Sequence, residues 1–348
     1  MELVKDRVVY HSIIARKCSY LLLVAVVCMV SLLVDVLVGP AWLSISDVVM
    51  AILGAGSVEP TTEIIVWTLR LPTALMAVAV GATLGIAGAE MQTILDNPLA
   101  SPYTLGISAG AGFGAALAIV VGAGTLPISE DYLVPINAFV FALLTCLLIY
   151  FIGRARAITA ETMVLAGIGL LFLFHALLAL LQYMASAEAL QAIVFWLFGS
   201  LMKATWPKVG LVAAVLVIAL PVLAKDAWQL TALKLGDEKA KSLGINVEQL
   251  RLKTFVLISL LTASAVCFVG TIGFIGLVGP HIARMLVGED QRFFLPLSAL
   301  GGALLLSVAS IGSKMIIPGV IFPIGIVTSL IGVPFFFSLI LTQKRGYW

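Results

Sequence analysis

The chain has 348 residues, of which 61% are hydrophobic and only 11% charged, with a net charge of +2 and a mean hydropathy of +1.16. Soluble domains run about 45–50% apolar and about 25% charged, so no water-soluble fold buries this much apolar surface. Lipid admits only helices or a closed barrel, and the long continuous runs such as Leu211–Leu223 and Leu257–Val269 exclude the alternating segments of about ten residues that a barrel requires.

Apolar runs of spanning length, cut at polar or Gly/Pro punctuation, predict an all-α, polytopic membrane protein with ten transmembrane helices near 18–38, 63–90, 102–122, 132–152, 162–184, 207–224, 251–270, 271–288, 293–313 and 324–342. The first run is long enough to span and no small-residue cleavage site follows it, so it is read as a helix and not as a signal peptide. The seventh and eighth runs are divided only at Gly270–Gly273. They are split because about 38 residues is too long for a single crossing. With ten spans both termini share one side. Placing them in the cytoplasm puts 16 of the 20 Lys and Arg residues on that side and leaves Arg70, Lys203, Lys208 and Lys314 outside. This is the positive-inside asymmetry. The whole of 1–348 is read as one transmembrane domain surrounded by lipid.

Small residues recur within the runs, as in Gly81–Gly85, Gly106–Gly114 and Gly167–Gly169. They are read as close helix contacts, which membrane helices need in the absence of a hydrophobic drive between them. Gly110, Gly112 and Gly114 follow no strand of a βαβ unit and are not a nucleotide loop. Cys18, Cys28, Cys146 and Cys267 form no CxxC pair, and His11, His175 and His281 are dispersed. No metal site, cofactor, catalytic set or nucleic-acid partner is expected. His175 and Gln182, deep in the fifth run, are expected to be satisfied by interhelical hydrogen bonds. Glu90, Asp96 and Arg284 are placed at the cytoplasmic interface, and Arg70 and Lys314 at the outer one, where snorkelling keeps their charges wet.

One polar cytoplasmic segment is long. Within 226–250, Asp237–Ser242 favours a short helix flanked by Gly236 and Gly244, a start and a C′ stop. Leu235, Ala240, Leu243 and Ile245 offer a small apolar face among charges, suited to docking another protein as well as to an ordinary connector. The chain contains no G-x-x-x-x-G-K-[S/T] sequence, so it has no P-loop, and any ATP hydrolysis belongs to a separate subunit.

Several stretches in order resemble one family: Val66–Pro72, Gly88–Pro102 with Leu105–Ala111, Leu165–Gly167, Phe195–Ser200, Ala240–Ile245, Gly273–Arg284 and Pro323–Phe335. Together they resemble the FecCD permeases of ABC importers, which carry ferric siderophores, haem and cobalamin. The resemblance implies a permease that pairs with a second copy or a paralogue, two ABC ATPase subunits beneath it, and a periplasmic or lipoprotein substrate-binding protein above. It implies ATPase coupling through Leu235, Gly236, Ala240, Leu243, Gly244 and Ile245, binding-protein docking at Arg70 and Lys314, and a cytoplasmic gate at Asn97 and Leu99 with Ala160 and Glu161 beside it. The chain departs from the family pattern at Thr73, where Arg is common, at Ser310, where Asp is common, and at Ile321-Phe322, where an acidic residue is common. Its outer mouth is therefore expected to carry less charge. The expected function is ATP-driven import of an iron complex, with ferric siderophore first, then haem or cobalamin. A secondary transporter would need an ionisable site near the midplane and an enzyme a nucleophile–base set, and the sequence displays neither.

Overall fold

In the computed structural model the described residues are 2–41, 43–54, 58–122, 130–156, 158–317 and 319–342. Lys344 and Arg345, counted above among the cytoplasmic charges, lie outside them. The elements in order are α1 (Glu2–Leu37), α2 (Ile45–Leu53), α3 (Pro60–Ile64), a π-helical turn at Ile65–Arg70, α4 (Leu71–Ile94), α5 (Ile107–Val121), α6 (Glu130–Arg156), α7 (Ala160–Met184), α8 (Ala187–Leu197), α9 (Trp206–Lys225), α10 (Ala227–Leu233), α11 (Asp237–Ser242), α12 (Val247–Val269), α13 (Ile275–Val287), α14 (Gln291–Met315) and α15 (Ile324–Thr342). Among the described residues no strand occurs. A helix lies in each of the ten predicted regions. Seven are long and apolar enough to cross a membrane; the other three, α5, α13 and α15, are shorter, with α5 and α13 having 15 and 13 residues against the roughly 20 that a full crossing takes.

Helix ends follow local chemistry. Thr159, Ser186, Asn246 and Asp290 each accept a hydrogen bond from a backbone N–H of the first turn of α7, α8, α12 and α14, satisfying donors that have no intrahelical partner. The break proposed at Gly270–Gly273 is present. Gly270 has φ +77 and Phe274 has φ +68, a conformation that stops α12 before α13 begins.

The centre of the bundle is α4. It packs against α12, α13 and α14 and is buried along nearly its whole length. Its glycines explain how. A Cβ on Gly81 would sit 2.4 Å from the Gly302 carbonyl oxygen, one on Gly85 2.2 Å from that of Ser298, and one on Gly88 1.9 Å from that of Gly276. Backbone therefore meets backbone along one stripe. The second glycine cluster does the same for α5 on α6, where a Cβ on Gly110 would strike Thr145 Oγ1 at 2.0 Å and one on Gly114 the Asn137 carbonyl at 2.5 Å. The expected packing role of Gly110–Gly114 holds.

Two expectations about polar residues are corrected. Glu90 is not interfacial. It is 0% exposed, enclosed where α12, α13 and α14 cover the last turns of α4, and neither carboxylate oxygen has a hydrogen-bond partner among the described residues. His175 is not satisfied between helices. It is exposed on α7, with no hydrogen-bond partner among the described residues.

Gly88→Val should therefore destabilise by more than the about 1–3 kcal/mol of ordinary overpacking, because the clash is with backbone that no rotamer change relieves. Gly169→Val, at a site with nothing within 4 Å of the added Cβ, should be mild by comparison. Melting temperatures of the two detergent-solubilised variants, read by fluorescence size-exclusion, test this.

Candidate coupling region, gate segments and opposite-end cavity

The residues expected to form the gate and the coupling segment meet at the end of the bundle where α4 finishes. After Ile94 the chain turns sharply at Asp96, which has φ +45. The Asn97 side chain then accepts from the Leu99 N–H at 2.9 Å, an Asx turn that Asn favours and that leaves Leu99 41% exposed. Ala160 and the exposed Glu161 open α7, where a carboxylate is favoured by the helix dipole.

The short helix expected at Asp237–Ser242 is present as α11, with Gly236 at φ +99 before it and Gly244 at φ +81 after it. These are conformations that a side chain resists. The single apolar face expected of this segment is corrected. Ala240 and Ile245 are 0% and 7% exposed and belong to the main core, while Leu235 and Leu243 are 56% and 50% exposed. Ala240 and Ile245 thus anchor the segment while Leu235 and Leu243 face outward. Lys241 pairs with Glu238 at 2.9 Å, and that hydrogen bond raises the ammonium above its ordinary pKa.

The residue that joins these parts was not singled out from sequence. Arg251, on the first turns of α12 and 3% exposed, donates from Nε to the Ile94 carbonyl at 2.8 Å and from Nη1 to the Ile158 carbonyl at 3.0 Å. It also forms a forked pair with Asp237 at 3.2 and 3.1 Å. One guanidinium thus touches a carbonyl three residues before Asn97, a carbonyl two residues before Ala160, and the first residue of α11. A second set of charges lies beside it. Lys234 pairs with Asp96 at 2.5 Å and with Glu289 at 3.4 Å. Arg284 pairs with Glu289 at 3.2 Å and donates to Gln92 Oε1 at 2.8 Å. Asp290, which caps α14, is held below the usual carboxylate range by its hydrogen bond from the Arg292 side chain.

At the opposite end the basic residues are spent inside the chain. Arg70 was expected at the interface, but it is 6% exposed. Its guanidinium donates to the carbonyls of Val36 and Leu37 at 3.1 and 2.7 Å, which the end of α1 leaves unbonded, and to that of Ala41 beyond it at 2.6 Å. Lys314 is 7% exposed. Its ammonium donates to Asp35 Oδ1 at 2.6 Å and to the Asp35 carbonyl at 2.9 Å, with Ser310 donating to the same Oδ1 at 2.9 Å. The carboxylate missing at Ser310 is thus supplied from α1 by Asp35, a residue the sequence reading passed over inside an apolar run.

Beside this pair lies a cavity of about 560 Å³, walled by Trp196, Phe268 and Phe322 and rimmed by Lys203, Lys208 and Asp131. Its floor is the broken backbone where α8, α12 and α15 meet: Ser200 N donates to Val269 O at 2.8 Å, and Gly325 N to Phe198 O at 2.9 Å. Non-helical backbone at membrane depth persists only when buried in protein or lining a water-filled space.

A bundle of apolar helices built on backbone contact, with a folded-back polar excursion at one end and a cavity over broken helices at the other, is the architecture of a membrane permease. The chain belongs to the FecCD transport family, whose model matches residues 25–342. It is similar to a Bacillus subtilis Fe(3+)-citrate import system permease protein, 36% identical over 93% of this chain and 95% of that one. It is also similar to the Yersinia pestis hemin transport system permease protein, 39% identical over 80% of this chain and 84% of the relative. A solved inward-facing metal-chelate type ABC transporter aligns with TM-score 0.82 at 30% identity, covering 93% of this chain and 99% of that one.

Replacing either member of the Asp35–Lys314 pair alone leaves an uncompensated buried charge, so Asp35→Leu and Lys314→Met should each cost about 3–5 kcal/mol. The double variant should be the more stable of the three. A double-mutant cycle on thermal unfolding in detergent checks the sign of the coupling.

Proposed function

We propose that this chain is the membrane subunit of an ATP-driven importer that passes an iron complex to the cytoplasm across a cell (inner) membrane. The observation that carries the proposal is the α10–α11 excursion. It is anchored through Ala240 and Ile245, presents Leu235 and Leu243 outward, and is joined through Arg251 to both gate segments. An apolar pair displayed on a rigid support at the end of a helical bundle suits the groove of an ABC ATPase, and the chain has no P-loop of its own. In this reading ten spans place the termini and 226–250 in the cytoplasm, two ATPases bind there, and a second copy or paralogue completes the path. Asn97, Leu99, Ala160 and Glu161 close it from below.

A substrate-binding protein docks at the outer end, next to Arg70 and Lys314. Both are bonded within the chain, so they shape the docking face by fixing α1, and the exposed Lys203 and the half-buried Lys208 beside them offer the charge. The cavity between those lysines and the aromatic wall is the outer vestibule. Ferric siderophore is the first choice of cargo, with haem and cobalamin after it. The names of the similar permeases for iron citrate and hemin support an iron complex.

The test is uptake into proteoliposomes of a panel of ferric chelates, haem and cobalamin, with and without a candidate ABC ATPase. Uptake is expected only with the ATPase and ATP. Uptake that persists without the ATPase and follows an imposed ion gradient defeats the proposal in favour of secondary transport. Gly244→Pro, at φ +81, is expected to abolish co-purification of the ATPase and ATP-dependent uptake while leaving the membrane bundle folded.

A further inference from the structure

Both gate segments and the coupling helix converge on one side chain, and the geometry of that convergence has a consequence for how force crosses the protein. Arg251 makes two kinds of bond. Those to Ile94 and Ile158 are to backbone, three residues ahead of Asn97 and two ahead of Ala160. That to Asp237 is the single side-chain partner, and Asp237 is the first residue of α11. A planar guanidinium holds these directions fixed relative to each other. Displacing Asp237 therefore moves the donors to both gate segments together. Lys234 is different. It comes from the turn after α10 and reaches Asp96 at 2.5 Å and Glu289 at 3.4 Å, so it acts on the first gate segment alone. The loop bearing Glu289 is itself tied to α10 through Gln291 N and Thr231 Oγ1 at 3.1 Å, and to α4 through Gln291 Nε2 and Thr93 Oγ1 at 2.7 Å. Asp96 and Glu289 are 68% and 44% exposed, and exposed pairs contribute little to stability. The bridge through Lys234 sets position, and removing it leaves the fold standing.

We propose that Arg251 is a positioning residue that transmits displacement of α11 to both gate segments at once, with Lys234 as a second strut confined to the first. The proposal rests on the ATP-driven reading and adds the path by which that drive reaches the gate. In a Cys18→Ser background, since the other three cysteines are buried, Leu99→Cys and Glu161→Cys each place one reactive thiol on a gate segment. The full chain is assembled with its ATPase subunits, and maleimide labelling rates are compared with no nucleotide and with ATP plus vanadate. The parent complex is expected to change rate at both positions. Asp237→Asn, which unhooks α11 and leaves the Arg251 backbone bonds in place, is expected to reduce that change about tenfold at both. Lys234→Met should reduce it at Leu99→Cys and not at Glu161→Cys, and Lys234→Arg should restore it. Arg251→Lys, which keeps the cation and loses the fork, gives a second route should the Asp237 variant fail to assemble, with reduction at both sites expected.

A response that survives Asp237→Asn or Arg251→Lys at both sites overturns the joint while leaving ATP-driven transport intact. Equal loss at both sites in Lys234→Met overturns the separate strut. A parent complex that hydrolyses ATP with no change at either thiol overturns the gate assignment and the joint with it. One that neither binds nor responds to an ATPase defeats the ATP-driven reading itself.

Discussion

The fold depends on backbone approaching backbone along one side of α4. In lipid there is no hydrophobic drive between helices, so association has to come from close dispersion contact and from polar groups that find each other. Gly81, Gly85 and Gly88 supply the first of these, since each faces a carbonyl where a methyl group would collide. The resulting proximity of α4 to α13 and α14 brings the second within range. Gln92 reaches Gly276 O and Arg284 from α4, and Thr93 reaches Gln291. Remove the close approach and these partners separate. The hydrogen bonds are consequences of the glycine stripe as much as causes of the fold.

The buried charges are distributed according to the same logic. Breaking a buried ion pair costs far more than forming it gains, so such pairs fix geometry and add little net stability. At one end of the bundle the pair Asp35–Lys314 and the Arg70 cap fasten α1 to α14 and to the start of α4. At the other, Arg251 fastens the end of α4, the approach to α7 and α11. The two fastenings differ in what they hold. The first joins long helices to each other and makes a rigid frame. The second joins a frame element to two turns and a six-residue helix. Glu90 stands apart from both, sealed in α4 without a partner among the described residues.

Much of this was legible in the sequence because composition and spacing are local. Apolar run length located the helices, Gly270–Gly273 located the break between α12 and α13, and Gly236 and Gly244 bracketed α11. The failures share a cause. Whether a charge in an apolar run is exposed depends on which helix lies opposite, and that is a property of tertiary contact. Arg70 and Lys314 read as snorkelling cations because their carbonyl and carboxylate partners are about 30 and 279 positions away. Asp35 was invisible for the same reason. Arg251 looked like one more cytoplasmic positive charge in a count, and only the structure gives its four hydrogen bonds their three destinations. The apolar face of the coupling segment was misread differently. Four residues were assumed to share one surface, whereas Ala240 and Ile245 turn inward and Leu235 and Leu243 outward.

The π-helical turn at Ile65–Arg70 sets the azimuth of everything that precedes it. An α-helix advances about 100° per residue, and a π turn inserts one residue without ending the rod. The segment Pro60–Ile64 is thereby rotated about the common axis relative to Leu71–Ile94 while both remain one continuous 35-residue helix. The lower part is committed to its glycine stripe and has no rotational freedom left. The upper part is released from that commitment, so the surface it shows at this end of the bundle can vary without detuning the packing below. A single extra residue thus decouples the first turns of the helix from its packed length, with Arg70 at the seam.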